Sequence, residues 1–389
     1  MTMNLKPVPS AVSPIPLLVG IATVIVYAYL FLHAESQGAV IGLLVVACVL
    51  LVVSSRIGWI ARAGCAAEAN PGVLDWGAVA AVVILAIALH GEHFALLMLA
   101  TVMIYITVGL SLNLQFGYCG VVNFAGAAFF GIGSYTAATL ATHTALPHLL
   151  IMLIAGCLAA LIGSLLILPV LRTRGHYAAL VTIAFGILFK TFLEVNDTLG
   201  GPQGLKIPGM KIFGWVLNDN IEIGDIEISF YLNYVLVSLV LCAIAFVLVR
   251  RLERSWVGLS MDAVRLDEVG AATFGVDIAR WKISAFTLGN LLTGIAGALY
   301  GLMTGFVAPN NFTFGDSLIL VSIVILGGLG NPWGLLPATA IVLLLPEKLQ
   351  FIQEYRLLLY AVLVILILLF RPEGLLPRKI RVYFPGGKS

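Results

Sequence analysis

Apolar runs of membrane-spanning length, separated by short polar breaks, recur from one end of this chain to the other. A bilayer crossing needs roughly 20 apolar residues, and fewer where a helix is buried in protein. That pattern predicts spans at 15–32, 39–53, 73–89, 94–114, 117–141, 149–170, 177–195, 230–249, 283–307, 316–330, 333–350 and 357–370. Gly or Pro interrupts three of them, 117–141, 316–330 and 333–350, which marks these as half-helix or re-entrant segments. The polar stretch 54–72 separates the first two spans from the rest. The expected fold is therefore an all-α integral membrane bundle. Residues 1–72 hold a tail and two additional helices, 73–370 a core of about ten, and 371–389 a second tail.

One interruption differs from the others. Residues 250–282, RRLERSWVGLSMDAVRLDEVGAATFGVDIARWK, carry six basic and five acidic residues in a chain that is 10% charged. The segment must lie in water at a membrane face, yet it is shorter than the roughly 50 residues of a stable domain. It reads as one or two short amphipathic helices that another protein can grip. With the N-terminus cytoplasmic, this segment, Lys6, the breaks at Arg56/Arg62 and Arg172/Arg174, and the C-terminal tail place 16 of 21 Lys and Arg residues on the cytoplasmic side. The positive-inside rule favours that orientation. The long loop on the other side, 196–229, alternates apolar and polar residues in KIFGWVLNDNIEIGDIEISF, which suggests a short hairpin or amphipathic segment.

Composition agrees with the pattern: 61% of residues are hydrophobic and mean hydropathy is +1.07, outside the range of soluble domains. The net charge of +2 gives no reason to expect nucleic acid. The run from Ile15 is expected to be a retained anchor rather than a cleaved signal. The five cysteines form no CxxC pair and read as small buried hydrophobes. No acidic or His residue lies mid-span, which argues against a proton-coupled carrier. No metal-ligand set or clustered acid, base and nucleophile is visible, so neither a metal, a cofactor nor an enzymatic activity is expected.

Candidate transport residues lie in the Gly-rich block 109–140. Asn113, Gln115, Asn123, Phe124, Gly126, Ser134 and Tyr135 combine polar groups with backbone that can unwind, a device of substrate pathways. A second pattern, Gly289, Thr293, Gly297, Gly301 and Gly305, places a small residue at every fourth position for close helix packing. Lys190 and Glu194 share a helix face near the outer boundary and are expected to pair.

FGYCGVVNFAGAAFFGIGSYTAA (116–138), GGPQGL (200–205), VGLSMDAVRLDEVGAATFGVDIARWKISAF (257–286), ILGGLGNPWG (325–334) and LFRPEGLL (369–376) follow one another in this order. In these blocks the sequence resembles permease subunits of branched-chain amino-acid ABC importers, of the LivM type. The resemblance implies import of leucine, isoleucine and valine across a bacterial inner membrane; related permeases carry urea or short-chain amides. It also implies two cytoplasmic ABC ATPases, a second homologous permease and a periplasmic substrate-binding protein as partners, with lipid around the helices. GAATFG (270–275) is similar to a diverged ATPase-coupling motif, with Gly270 where a Glu would stand. The coupling residues so implied are Arg265, Asp267, Glu268, Ala271, Ala272 and Gly275.

Overall fold

In lipid every backbone N–H and C=O must be satisfied within the chain, so the apolar runs become helices. The computed structural model describes residues 13–349, except 35, 173–175, 213, 224 and 225, together with scattered positions between 355 and 378. Its helices are α1 (Ile15–His33), α2 (Gln37–Arg56), α3 (Trp59–Ala69), α4 (Pro71–Ala88), α5 (His93–Asn113), α6 (Gly126–His143), α7 (His148–Arg172), α8 (His176–Val195), α9 (Tyr231–Glu253), α10 (Trp256–Leu266), α11 (Glu268–Thr273), α12 (Ile278–Thr304), α13 (Phe314–Gly327) and α14 (Leu335–Lys348). Among the described residues, nine helices are long and apolar enough to cross a membrane. Of the span expected at 357–370 only scattered helical positions are described, and most of the tail lies outside the described residues.

Local chemistry sets several helix starts. Ser36 caps α2 through the Ala39 N–H, and Asp277 caps α12 through the Arg280 N–H. Thr313 and Asp316 form a reciprocal capping box on α13, a motif that satisfies two otherwise orphaned donors.

Helix α12 is the axis of the core, packed by α5, α6 and α7. The small residues make this possible. A Cβ on Gly133 would collide with the Gly294 backbone, and one on Gly297 with the Phe130 carbonyl. Gly156 of α7 lies against the Leu291 carbonyl, where a Cβ would come within 2.9 Å. Gly289, Thr293, Gly297 and Gly301 all face neighbours across this seam. Gly305 does something else: it ends α12 in a left-handed conformation, φ 68°. Gly297→Leu should wedge α6 from α12 and cost about 1–3 kcal/mol or more, read as a large fall in melting temperature in detergent. An unchanged melt would disprove the close seam.

The interruption expected in 117–141 is present, and the reading of 54–72 is corrected. The span drawn at 117–141 becomes a helix only at Gly126; before it stand a π-helical turn, Leu114–Tyr118, and an irregular stretch through Ala125. Residues 54–72 are not simply a break, because α3 fills most of them. Its partner α1 packs on α3 and α4, and the Lys348 ammonium donates to the Leu32 and Ala34 carbonyls at 2.6 and 3.0 Å, fastening α1 to α14.

The loop after α8 carries β1 (Leu205–Lys206), β2 (Lys211–Ile212), β3 (Trp215–Val216), β4 (Ile221–Ile223) and β5 (Ile226–Ile228). Strands β2–β3 and β4–β5 are antiparallel hairpins, as the alternation predicted. Strand β1 pairs instead with β6 (Phe306–Val307), just after α12. The chain then turns back into the bundle: the Phe312 ring lies 6.2 Å from Phe130 and 5.9 Å from Tyr135, both on α6. Lys190 and Glu194 pair at 3.2 Å.

Candidate functional site

At one end of α5 the π turn and irregular stretch bring three amides together. Asn123 donates to Gln115 Oε1 at 2.8 Å, and Gln115 donates to Asn290 Oδ1 at 3.2 Å. A second Asn123 bond reaches Asn290 at 3.4 Å. The Ala125 N–H donates to Asn123 Oδ1 at 2.9 Å, which fixes that amide's orientation. All three side chains are fully buried. Asn290 fits because α7 has Gly163 opposite it, where any Cβ would strike the amide. The knot therefore joins α5, the entry to α6, and α12.

The other candidate pathway residues extend it. Asn113 accepts the Gly330 N–H at 2.8 Å, tying α5 to the α13–α14 turn. The Phe124 N–H donates to Thr182 on α8 at 3.1 Å. Gly126 lets α6 begin against Leu112 and Leu320, at 3.2 and 3.3 Å from an added Cβ. Ser134 donates to the Gly297 carbonyl at 2.7 Å, deeper along the α6–α12 seam. Tyr135 sits there too, its ring against Phe312 and its hydroxyl buried without a hydrogen-bond partner. The side-chain nitrogens of Asn113 and Asn290 are likewise buried and unpaired. Buried groups left so are uncommon in folded proteins.

The charged segment lies directly beneath the knot. Arg265, on α10, donates to the Gly117 carbonyl within the π turn. Arg378, from the tail, makes a two-pronged contact with Asp262 of α10 at 2.6 and 2.9 Å and lies 3.6 Å from Glu253. Its guanidinium covers the Tyr118 ring at 4.4 Å. Burial opposes the Arg378 charge, but the Asp262 carboxylate outweighs it and holds the pKa above its usual value; burial with Arg378 nearby pushes that of Arg265 below. The tail is held further by the Leu375 and Leu376 N–H groups, which donate to Leu326 and Gly327 carbonyls at 2.8 and 3.3 Å.

The remaining coupling candidates take distinct places. Asp267 caps α11 through the Val269 N–H at 3.0 Å, and Glu268 pairs with Lys282 at 2.6 Å. Ala271 is buried, whereas Ala272 is exposed. Gly275 has φ 80°, a conformation that favours glycine, with open space around it. The outward face is apolar: Phe274 is 90% exposed, Val269 76% and Leu266 67%. Sequence reasoning missed this face, and also Asn290, Thr182 and Arg378. Asn290 is the one amide side chain in 283–304, and that was the available signal for it.

A family model described as "Branched-chain amino acid transport system / permease component" matches residues 94–368. This chain belongs to that family. The permease is 35% identical over 289 residues to the high-affinity branched-chain amino acid transport system permease protein LivM of Escherichia coli K12, covering 71% of this chain and 68% of that one. It is 26% identical to the probable LivM of Methanocaldococcus jannaschii, over 71% of this chain and 91% of the relative. The LivH permease of Escherichia coli K12 is a more distant relative, 22% identical over 70% of this chain and 91% of its own length. No solved structure matches it significantly. Family and helices together make it a multi-pass membrane transport permease.

Proposed function

We propose that this permease is a membrane subunit of an ATP-driven importer of leucine, isoleucine and valine in a bacterial inner membrane, with both termini cytoplasmic. A periplasmic binding protein docks on the 196–229 side and releases substrate to the α6–α12 seam. Two cytoplasmic ATPases grip residues 250–282, where hydrolysis resides, and a second homologous permease completes the pathway. The observation that carries this reading is the contact between α10 and the π turn through Arg265 and Gly117. A partner that shifts α10 thereby shifts the end of α5 and the amide knot above it.

The knot suits a two-state element. Its partly unpaired amides can exchange partners when α5 and α12 move apart, and the orphaned Tyr135 hydroxyl suits a polar contact made when the pathway opens. Weak polarity along a Gly-lined seam supports passage of an apolar amino acid whose affinity is supplied by the binding protein.

Affinity purification of the tagged chain from native membranes in mild detergent tests the assembly. The expected result is recovery with two ATPases and a second permease, and leucine uptake by the reconstituted complex with its binding protein. A monodisperse chain recovered alone, moving leucine without ATP, would overturn it.

A further inference from the structure

A groove of ≈280 Å³ opens between α4, α5, α9 and α14, and no residue of the amide knot or of α10–α11 lines it. Its wall is apolar, formed by Val82, Ile106, Leu239 and Ala243 among others. Its mouth is not: Arg250, Arg251 and Arg254, from the last turn of α9 and its cap, line it with Asp75 of α4. Arg250 and Asp75 pair at 2.5 Å. Arg251 and Arg254 have no ion-pair partner among the described residues, and Glu253 faces Arg378 instead. Within the groove's own lining three cations stand against one carboxylate; Glu253 and Glu373 line the adjoining recess with Arg250 and Arg254, and Arg251 does not reach it. Trp333 stands at the rim, its ring 4.8 Å from Phe246, a residue type favoured at membrane boundaries. The adjoining α9 face, Val240, Ile244 and Val247, is exposed and apolar.

We infer that this groove binds one anionic phospholipid, with an acyl chain along the apolar wall and the phosphate between Arg251 and Arg254. The charge complementarity decides the occupant. A neutral lipid brings no net counter-charge to Arg251 and Arg254 at headgroup level, whereas an anionic one does, and basic pockets between membrane helices are suited to such headgroups. The inference requires only that α9 spans the bilayer, so it is independent of the cargo.

Native mass spectrometry of the full chain, purified with any co-expressed partners and titrated with phosphatidylglycerol or phosphatidylcholine, tests this. The expected result is selective retention of phosphatidylglycerol, with each arginine contributing roughly fivefold. Arg251→Gln with Arg254→Gln should remove the selectivity, and the paired Lys substitutions should retain it. The melting temperature in lipid-free detergent checks that each variant folds. Ala243→Trp should reduce retention of both lipids by filling the groove. Equal retention of the two lipids by the wild type, or selectivity unchanged in the Gln variant, would overturn the site. So would a photocrosslinker at position 243 that captures a polypeptide instead of lipid.

Discussion

Phe274→Asp is expected to abolish leucine uptake while leaving the permease folded and in the membrane. Phe274 is 90% exposed beside exposed Val269 and Leu266, and it has open space beyond it at Gly275. Its loss therefore removes little from this chain's own packing. In a partner's cleft the same ring would bury apolar surface worth about 1.5–3 kcal/mol. An aspartate there adds the cost of desolvating an unpaired carboxylate. The ATPases should then fail to copurify, or copurify without stimulation by the loaded binding protein. Normal copurification and stimulated hydrolysis would show that the ATPases grip another surface. Glu268 is a weaker probe, because its pair with Lys282 is half-exposed and such pairs contribute only about 0–1 kcal/mol.

Asn290→Leu should have the second large effect, through the inside of the bundle. The carbonyl oxygen of Asn290 accepts from both Gln115 and Asn123. Leucine would leave these buried donors short of an acceptor, at about 1–3 kcal/mol for an unsatisfied group. Its branched side chain would also press on α7 at Gly163. Both melting temperature and uptake should fall. Gln115→Leu alone should cost a similar amount, and the double variant distinctly less than the sum, because the singles break one network. Additive losses would mean that the three amides do not act together.

The charged segment and the hairpins of the outer loop show how far local pattern reaches. Ser255, Asp267 and Asp277 are adjacent to the turns they cap, so the helices of residues 250–282 can be anticipated from neighbouring residues. The alternation in 211–228 is likewise local, and two hairpins result. The family blocks add the transport assignment. The start of α6 is different. Its Gly-rich lead-in is apolar enough for a span, but contacts that include Gln115, Asn290 and Thr182 hold it open through Ala125.

The sequence by itself determined a multi-pass helical membrane chain with one charged segment between its spans. Those features follow from hydropathy, charge position and caps, all of which act over a few residues. Tertiary structure decided which polar groups meet. Gln115 reaches Asn290 across 175 positions, and Arg378 reaches Asp262 across 116. It also turned Val269 and Phe274 outward while Ala271 went in. Inside an apolar bundle a polar group must find its partner wherever packing brings one, and sequence spacing holds no record of that distance.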